Sequence, residues 1–355
     1  MATNELMSKF KKIGSIDGQI LSESIMFNDK DLIKTRYPSL NLALYGDLIN
    51  GGLISGSTVI AGPSRHFKSN IGLCLVEAYL TKYPESVCFF YDNEFGITDD
   101  YLANQGIDPT RVLHLPFMNM EELSFDLTQK VDNITRGDKI VIFIDSIGNA
   151  ASKKESDNAL KGSDSEDMTR SRKIKSFWRV ITPHLNFKDI PCISINHTYK
   201  TLEMYAKDVI SGGTGVMLSA NTAIIIGKQQ DKDKDGELNG YNFILNIEKS
   251  RFIKEKSKIP FKVSYEGGVS KYSGLLEWAL ESGDVIKPKN GWYALVNTDT
   301  GEVIGKNYRE PDTECEEFLG VVLLRPKFQS FVHDKYKLAI RAKLQEDDIF
   351  EEDVE

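Results

Sequence analysis

The sequence predicts an α/β fold: a mostly parallel, twisted sheet covered by helices on both faces, followed by a small α+β unit. Three observations point to it. Short β-branched runs alternate with segments of helical period, the order a parallel sheet needs because each crossover is a helix. The run "KIVIFIDS" is apolar without alternation, as a strand buried on both faces requires. Beyond Gly268 the pattern changes to "YSGLLEWALESGDVIKPKNGWYALVNTDTGEVIG", which reads as a helix, a turn and a small hairpin.

In chain order, residues 1–35 are poorly periodic and read as an N-terminal arm. The core, 36–270, holds the strands "STVIA", "SVCFFYD", "RVLHLPF", "KIVIFIDS", "IPCISINHT", "TAIIIGK", "NFILNIEK" and "PFKVSYEG". Ile71, Cys74, Leu75 and Ala78 recur at helical spacing between the first two strands, and Met120, Leu123, Leu127, Val131 and Ile134 do so later, so both segments read as crossover helices. Two long polar stretches, 149–167 and 198–219, directly follow strands. Loops of that length in a compact domain are functional or disordered, and the carboxyl ends of parallel strands are where open α/β sheets bind ligands. Residues 271–345 form the small C-terminal domain, and "EDDIFEEDVE" (346–355) is a solvated acidic tail.

The 355 residues, 41% of them hydrophobic, suffice for one large domain and a smaller one. A net charge of −8 excludes a protein that is basic everywhere, so contact with nucleic acid needs a local patch. Lys153, Lys154, Lys161, Arg170, Arg172, Lys173, Lys175 and Arg179 form one such patch, and Lys249 to Lys262 another. No apolar run approaches the ~20 residues of a membrane span, and the N-terminus lacks the apolar core of a signal peptide; a cytoplasmic location without membrane contact is expected. Cys74, Cys88, Cys192 and Cys315 show no CxxC spacing and read as core residues.

Gly62, Pro63, Ser64, Arg65, His66, Phe67, Lys68 and Ser69 read "GPSRHFKS", followed by Asn70. This matches the phosphate loop G-x-x-x-x-G-K-[ST] except at Phe67, with a strand before it and an amphipathic helix after. Such a loop aims backbone N–H groups and a helix N-terminus at phosphate oxygens, while Lys68 reaches the outer phosphates and Ser69 binds Mg²⁺. Glycine at 67 would supply only backbone freedom, so phenylalanine is acceptable there if its dihedrals stay in the right-handed region. Asp145, ending an apolar strand, is where a second carboxylate should order the Mg²⁺. "CFFYDNEFG" places Asp92 and Glu94 on the same edge. Glu94 is the better base for activating water, although an acid there can also cap the following helix. Tyr101 reads equally as an adenine-stacking ring or a core aromatic. His197 ends "PCISINH" at the same edge, either in contact with the outer phosphate or as an ordinary strand-end residue. "DKDKDGELNGYN" has calcium-loop spacing but Asn242 at its twelfth position and strands on either side, so it reads as a hairpin loop.

These residues, in this order, resemble the RecA family of recombinases, in its bacteriophage branch. The likeness runs from about Arg36 to Tyr293 and rests on "NLALYGDLINGG", "AGPSRHFKSN", "CFFYDNEFGIT", "VIFIDSIGNAASKKE", "DMTRSRKIKSFWR", "IPCISINHTY", "GGTGVMLSAN" and "EKSR", besides the C-terminal stretch quoted above. It implies a RecA-like P-loop ATPase core using ATP and Mg²⁺, with Glu94 and Lys68 catalytic, Tyr101 against adenine, and His197 coupling phosphate to DNA. Lys249 and Arg251 resemble cations that reach a neighbouring subunit's ATP. The two long stretches resemble DNA-binding loops, with Lys153, Lys154, Arg170, Arg172, Lys173, Tyr199, Lys200, Lys207, Gly212 and Gly213 as contacts, and Tyr205 as a second stacking candidate. The expected partners are single-stranded DNA, a homologous duplex, further copies in a helical filament, a single-strand-binding protein and a recombination mediator. Exchanging identical strands trades stacking of ~1.4 kcal/mol per step for the same amount, so ATP is better used to hold and then release an extended filament. The chain stops shortly after the small domain, which puts regulation by a long tail in doubt. The rival readings are a ring helicase on the same core and an ATP-gated DNA-binding module without turnover.

Overall fold

The computed structural model describes residues 2–16, 18–24, 31–162, 169–201, 206–232 and 236–338. The acidic tail and Tyr205 lie outside them. Strands β1 (Gly56–Ala61), β2 (Val87–Asp92), β3 (Val112–Pro116), β4 (Ile140–Asp145) and β5 (Pro191–Asn196) are followed by a short pair, β6 (Thr198–Lys200) and β7 (Asp208–Ile210). Then come β8 (Thr222–Lys232), β9 (Leu238–Ser250), β10 (Lys258–Ser264) and β11 (Gly268–Val269). The main sheet runs β11-β10-β9-β8-β1-β5-β4-β2-β3. It is parallel from β8 to β3 and antiparallel from β8 to β11. All eight strands expected from sequence are present, and β8 and β9, on either side of the calcium-loop look-alike, pair antiparallel as a hairpin requires.

Alternation sorts the central strands between two cores. Ile60, Val141, Phe143, Ile193 and Ile195 face the helix Lys68–Lys82 in one cluster. Their neighbours Val59, Ala61, Ile142, Ile144 and Cys192 face the helices Met120–Asn133 and Thr169–Phe187 in the other. This is the period of two of a pleated strand with both faces covered. Gly72 brings the first of these helices onto the sheet, since a Cβ there would lie 2.5 Å from the Phe143 ring. Cys74, Cys88 and Cys192 are buried, as the sequence suggested, whereas Cys315 is only partly buried against the same core.

The arm and the two long stretches carry structure that was not anticipated. The arm contains a helix, Ala2–Lys11. The first long stretch contains the helix Lys153–Leu160, opened by a capping box in which Ser152 and Glu155 satisfy each other's backbone N–H. The second folds as the β6–β7 hairpin and a short helix, Thr214–Ser219.

Beyond β11, a helix (Leu275–Ser282) leads into the antiparallel sheet β12 (Val285–Lys289), β13 (Trp292–Val296) and β14 (Val303–Arg309), and a helix (Pro326–Tyr336) follows. The apolar core of this unit is continuous with the cluster on the Lys68–Lys82 face of the main sheet. A buried Trp278 Nε1 donates to the Tyr336 hydroxyl at 3.0 Å and ties its two longer helices together.

Candidate functional site

Strand register gathers the site. Ala61 lies opposite Asn196, and Asp92 opposite Asp145, so β1, β5, β4 and β2 end along one edge. The residues that follow them, Gly62–Ser69, His197, Ser146 and Glu94, meet there.

The helix beginning at Lys68 presents its N-terminal N–H groups over this edge. Lys68 is buried, and its Nζ donates to the Pro63 carbonyl at 2.8 Å, curling the side chain over the loop. Burial pulls its pKa down, while the Glu94 and Asp145 carboxylates oppose that shift. Asp145 is buried, bonded to the Ser69 hydroxyl, and raised to about 6 by burial. Its Oδ1 has no hydrogen-bond partner. A hydroxyl beside a buried carboxylate with an open oxygen is the hard-oxygen donor set that Mg²⁺ takes, so Ser69 and Asp145 fit that ion.

Phe67 overturns one expectation. Its backbone is left-handed, φ 60° and ψ 19°, not right-handed. Such a conformation costs a residue with a Cβ roughly 1–2 kcal/mol. Its ring stacks on Phe243, with centroids 5.2 Å apart and planes 17° from parallel. Arg65 is left-handed as well, at φ 60°.

Of the two carboxylates after β2, Asp92 is committed to structure. Its Oδ1 accepts from the Glu94 and Phe95 amides at 2.9 Å each, and its Oδ2 contacts His114. Glu94 faces the edge. Its Oε1 accepts from the Ser146 hydroxyl at 2.6 Å and lies 3.0 Å from His197 Nε2. The His197 contact, then Ser146 and Lys68, hold Glu94 below the usual carboxylate range against the effect of burial, so it is ionised and able to accept a proton. A Cβ on Gly148 would sit 2.5 Å from the His197 amide nitrogen, so glycine lets the turn after β4 pass this close. Tyr101 packs half-buried beside the loop, its hydroxyl bonded to the Asn70 side chain.

The structure does not bring Lys249 and Arg251 to this site. Lys249 pairs with Ala223 near the start of β8, and its Nζ caps the C-terminal carbonyls of Met217 and Leu218 at 2.7 and 2.9 Å. Register sets Lys249 level with Val59, and Arg251 follows the end of β9, on the side of the sheet away from Gly62–Ser69.

The loop cations divide by what they touch. Arg170 donates to the carbonyls of Ala150 and Gly148 and so anchors the turn after β4. Lys173 pairs with Glu121, and Lys200 with Asp208 across the β6–β7 hairpin. Lys153, Lys154, Arg172, Tyr199 and Lys207 are exposed. Gly212 and Gly213 have positive φ and lead into the helix Thr214–Ser219. Sequence reasoning missed Ser146 and Asn93, whose Oδ1 receives the Ser146 amide. The adjacency of Ser146 to Asp145, and of Asn93 to Asp92, was the available signal.

Residues 272–332 match the family model for the C-terminal domain of the bacteriophage T4 recombination and repair protein. The chain is 50% identical over 322 residues to the recombination and repair protein of Enterobacteria phage T4, covering 90% of this chain and 82% of that one. Protein RecA of Kineococcus radiotolerans is 25% identical over 281 residues, 77% of this chain and 76% of that one. Protein RecA of Cytophaga hutchinsonii is 24% identical over 330 residues, 92% of this chain and 85% of that one.

Proposed function

The chain belongs to the family of bacteriophage recombination and repair proteins, distantly related to RecA, and on that premise we propose that it is an ATP-dependent DNA recombinase, forming a helical filament on single-stranded DNA and catalysing homologous pairing and strand exchange. The observation that carries this reading is the contact of Glu94 with His197, because His197 is followed directly by the β6–β7 hairpin.

In this reading the loop amides, the helix N-terminus and Lys68 hold the phosphates of ATP. Ser69 and Asp145 would hold Mg²⁺, which when bound would neutralise charge on the outer phosphates. Glu94, ionised at neutral pH, orients the attacking water and accepts its proton. His197 and Ser146 keep that carboxylate aimed. A shift of Glu94 toward the outer phosphate or its water breaks the bond to His197, and the hairpin that His197 leads into carries the change to DNA. Tyr199, exposed on that hairpin, suits base stacking, and the exposed cations beside it suit phosphates without regard to sequence.

Lys249 and Arg251, remote from their own loop, fit contact with the nucleotide of the next subunit, so that hydrolysis depends on assembly. The arm helix leaves Leu6, Met7 and Phe10 exposed, a face suited to the neighbouring copy. Work in the host cytoplasm alongside a single-strand-binding protein and a mediator follows from the same reading; among the described residues no helix is long and apolar enough to cross a membrane.

ATP turnover, measured with and without single-stranded DNA, tests the proposal. The unmodified protein is expected to be stimulated severalfold, and Lys68→Ala to lose turnover with or without DNA. Turnover indifferent to DNA would sink it.

A further inference from the structure

The two left-handed residues of the phosphate loop, Arg65 and Phe67, are each held by one member of a single cross-strand pair. Lys228 on β8 lies opposite Phe243 on β9. The Lys228 Nζ donates to the Arg65 carbonyl at 3.2 Å, and the Phe243 ring stacks on Phe67. This contact is possible because β8 and β9 outrun β1. Strand β8 pairs with β1 only from Thr222 to Ile225, so Gly227 onward projects past the end of β1, beside the loop. Both holding residues are themselves fixed. The Lys228 ammonium sits 3.6 Å from the Tyr241 ring centroid, and Tyr241 packs on Phe243 at 5.9 Å and edge-on to Tyr265 at 6.1 Å. Aromatic packing and a cation on a ring face are the contacts that rigidify a short hairpin.

We propose that Lys228 and Phe243 are positioning residues for nucleotide binding: the β8–β9 extension braces the phosphate loop in a conformation that its non-glycine sequence would otherwise leave. The loop amides can point at one place only while Arg65 and Phe67 stay left-handed, and nothing in "GPSRHFKS" favours that by itself. The brace supplies through tertiary contact what glycine supplies through backbone freedom. The inference rests on the ATP-binding reading of the site.

The test uses the full chain with Lys228→Met, Phe243→Leu and Phe67→Leu. The last removes the stack from the loop side while keeping a Cβ at 67. Two quantities are measured: affinity for Mg²⁺ with a fluorescent ATP analogue, and hydrogen exchange in the nucleotide-free protein over residues 64–72, including the Ile71 amide that donates to the Phe67 carbonyl. Each variant is expected to bind about tenfold more weakly, the ratio equivalent to ~1.4 kcal/mol of strain no longer held, and to exchange faster over 64–72 only. With Phe67→Gly as the background, the Phe243→Leu effect on affinity should shrink while its effect on thermal stability persists, which a purely structural role would not produce. Affinities within twofold of the unmodified protein, with unchanged exchange, overturn the proposal. Should Phe243→Leu not fold, Lys228→Met, on a half-exposed residue, decides. Failure of the unmodified protein to bind the analogue would refute the ATP-binding reading, and exchange alone would then judge the brace.

Discussion

Asp145→Asn should stabilise the nucleotide-free protein while disabling it. Burial raises the Asp145 carboxyl from its usual 3.8 to about 6, and its Oδ1 has no partner. With the folded-state value above the unfolded one, folding takes up a proton between those two pH values. The penalty is therefore absent below pH 3.8, grows through the window and is complete above about 6. At ~1.36 kcal/mol per pH unit it amounts to about 3 kcal/mol at pH 7.5 and about 1.6 kcal/mol at pH 5. An asparagine keeps the shape and a partner for Ser69 but carries no charge. In urea unfolding without Mg²⁺ or nucleotide, Asp145→Asn should thus gain up to about 3 kcal/mol at pH 7.5 and roughly half that at pH 5. Its affinity for Mg²⁺-ATP should fall at least tenfold, the trade between stability and function expected of a buried charge kept for a ligand. A variant less stable than the unmodified protein at pH 7.5, or a difference that does not change with pH, would refute this account of Asp145.

Two further outcomes follow from the geometry. His197→Ala removes the contact that most lowers the Glu94 pKa; DNA-stimulated ATP turnover should drop at least tenfold while Mg²⁺-ATP affinity, measured with the same fluorescent analogue, stays within threefold. Leu123, fully buried where the helix Met120–Asn133 meets the sheet, should cost about 2–5 kcal/mol in chemical denaturation when changed to alanine.

The central strands β1, β4 and β5 were legible because each is a short apolar run, buried along its whole length, and burial on both faces leaves no other use for such a run. The site edge was legible for the same reason: Asp92, Asp145 and His197 interrupt or follow apolar runs where the parallel strands end. What escaped depends on contacts between distant parts of the chain. The left-handed backbone of Phe67 is fixed by Phe243, and the division of labour between Asp92 and Glu94 by His114, Ser146 and His197. The helix Ala2–Lys11 escaped because its apolar residues face outward, so no core enforces a long repeat. The helix Lys153–Leu160 buries nothing, and its one local signal was the capping box in "SKKE".

Joint-molecule formation between circular single-stranded DNA and a linear duplex of the same sequence, with ATP and Mg²⁺, tests the central claim most directly. Joint molecules should form only with ATP and sequence identity, and Glu94→Gln should still form them while failing to complete exchange. Unwinding of a heterologous duplex, or DNA binding with no pairing under any nucleotide, would contradict it.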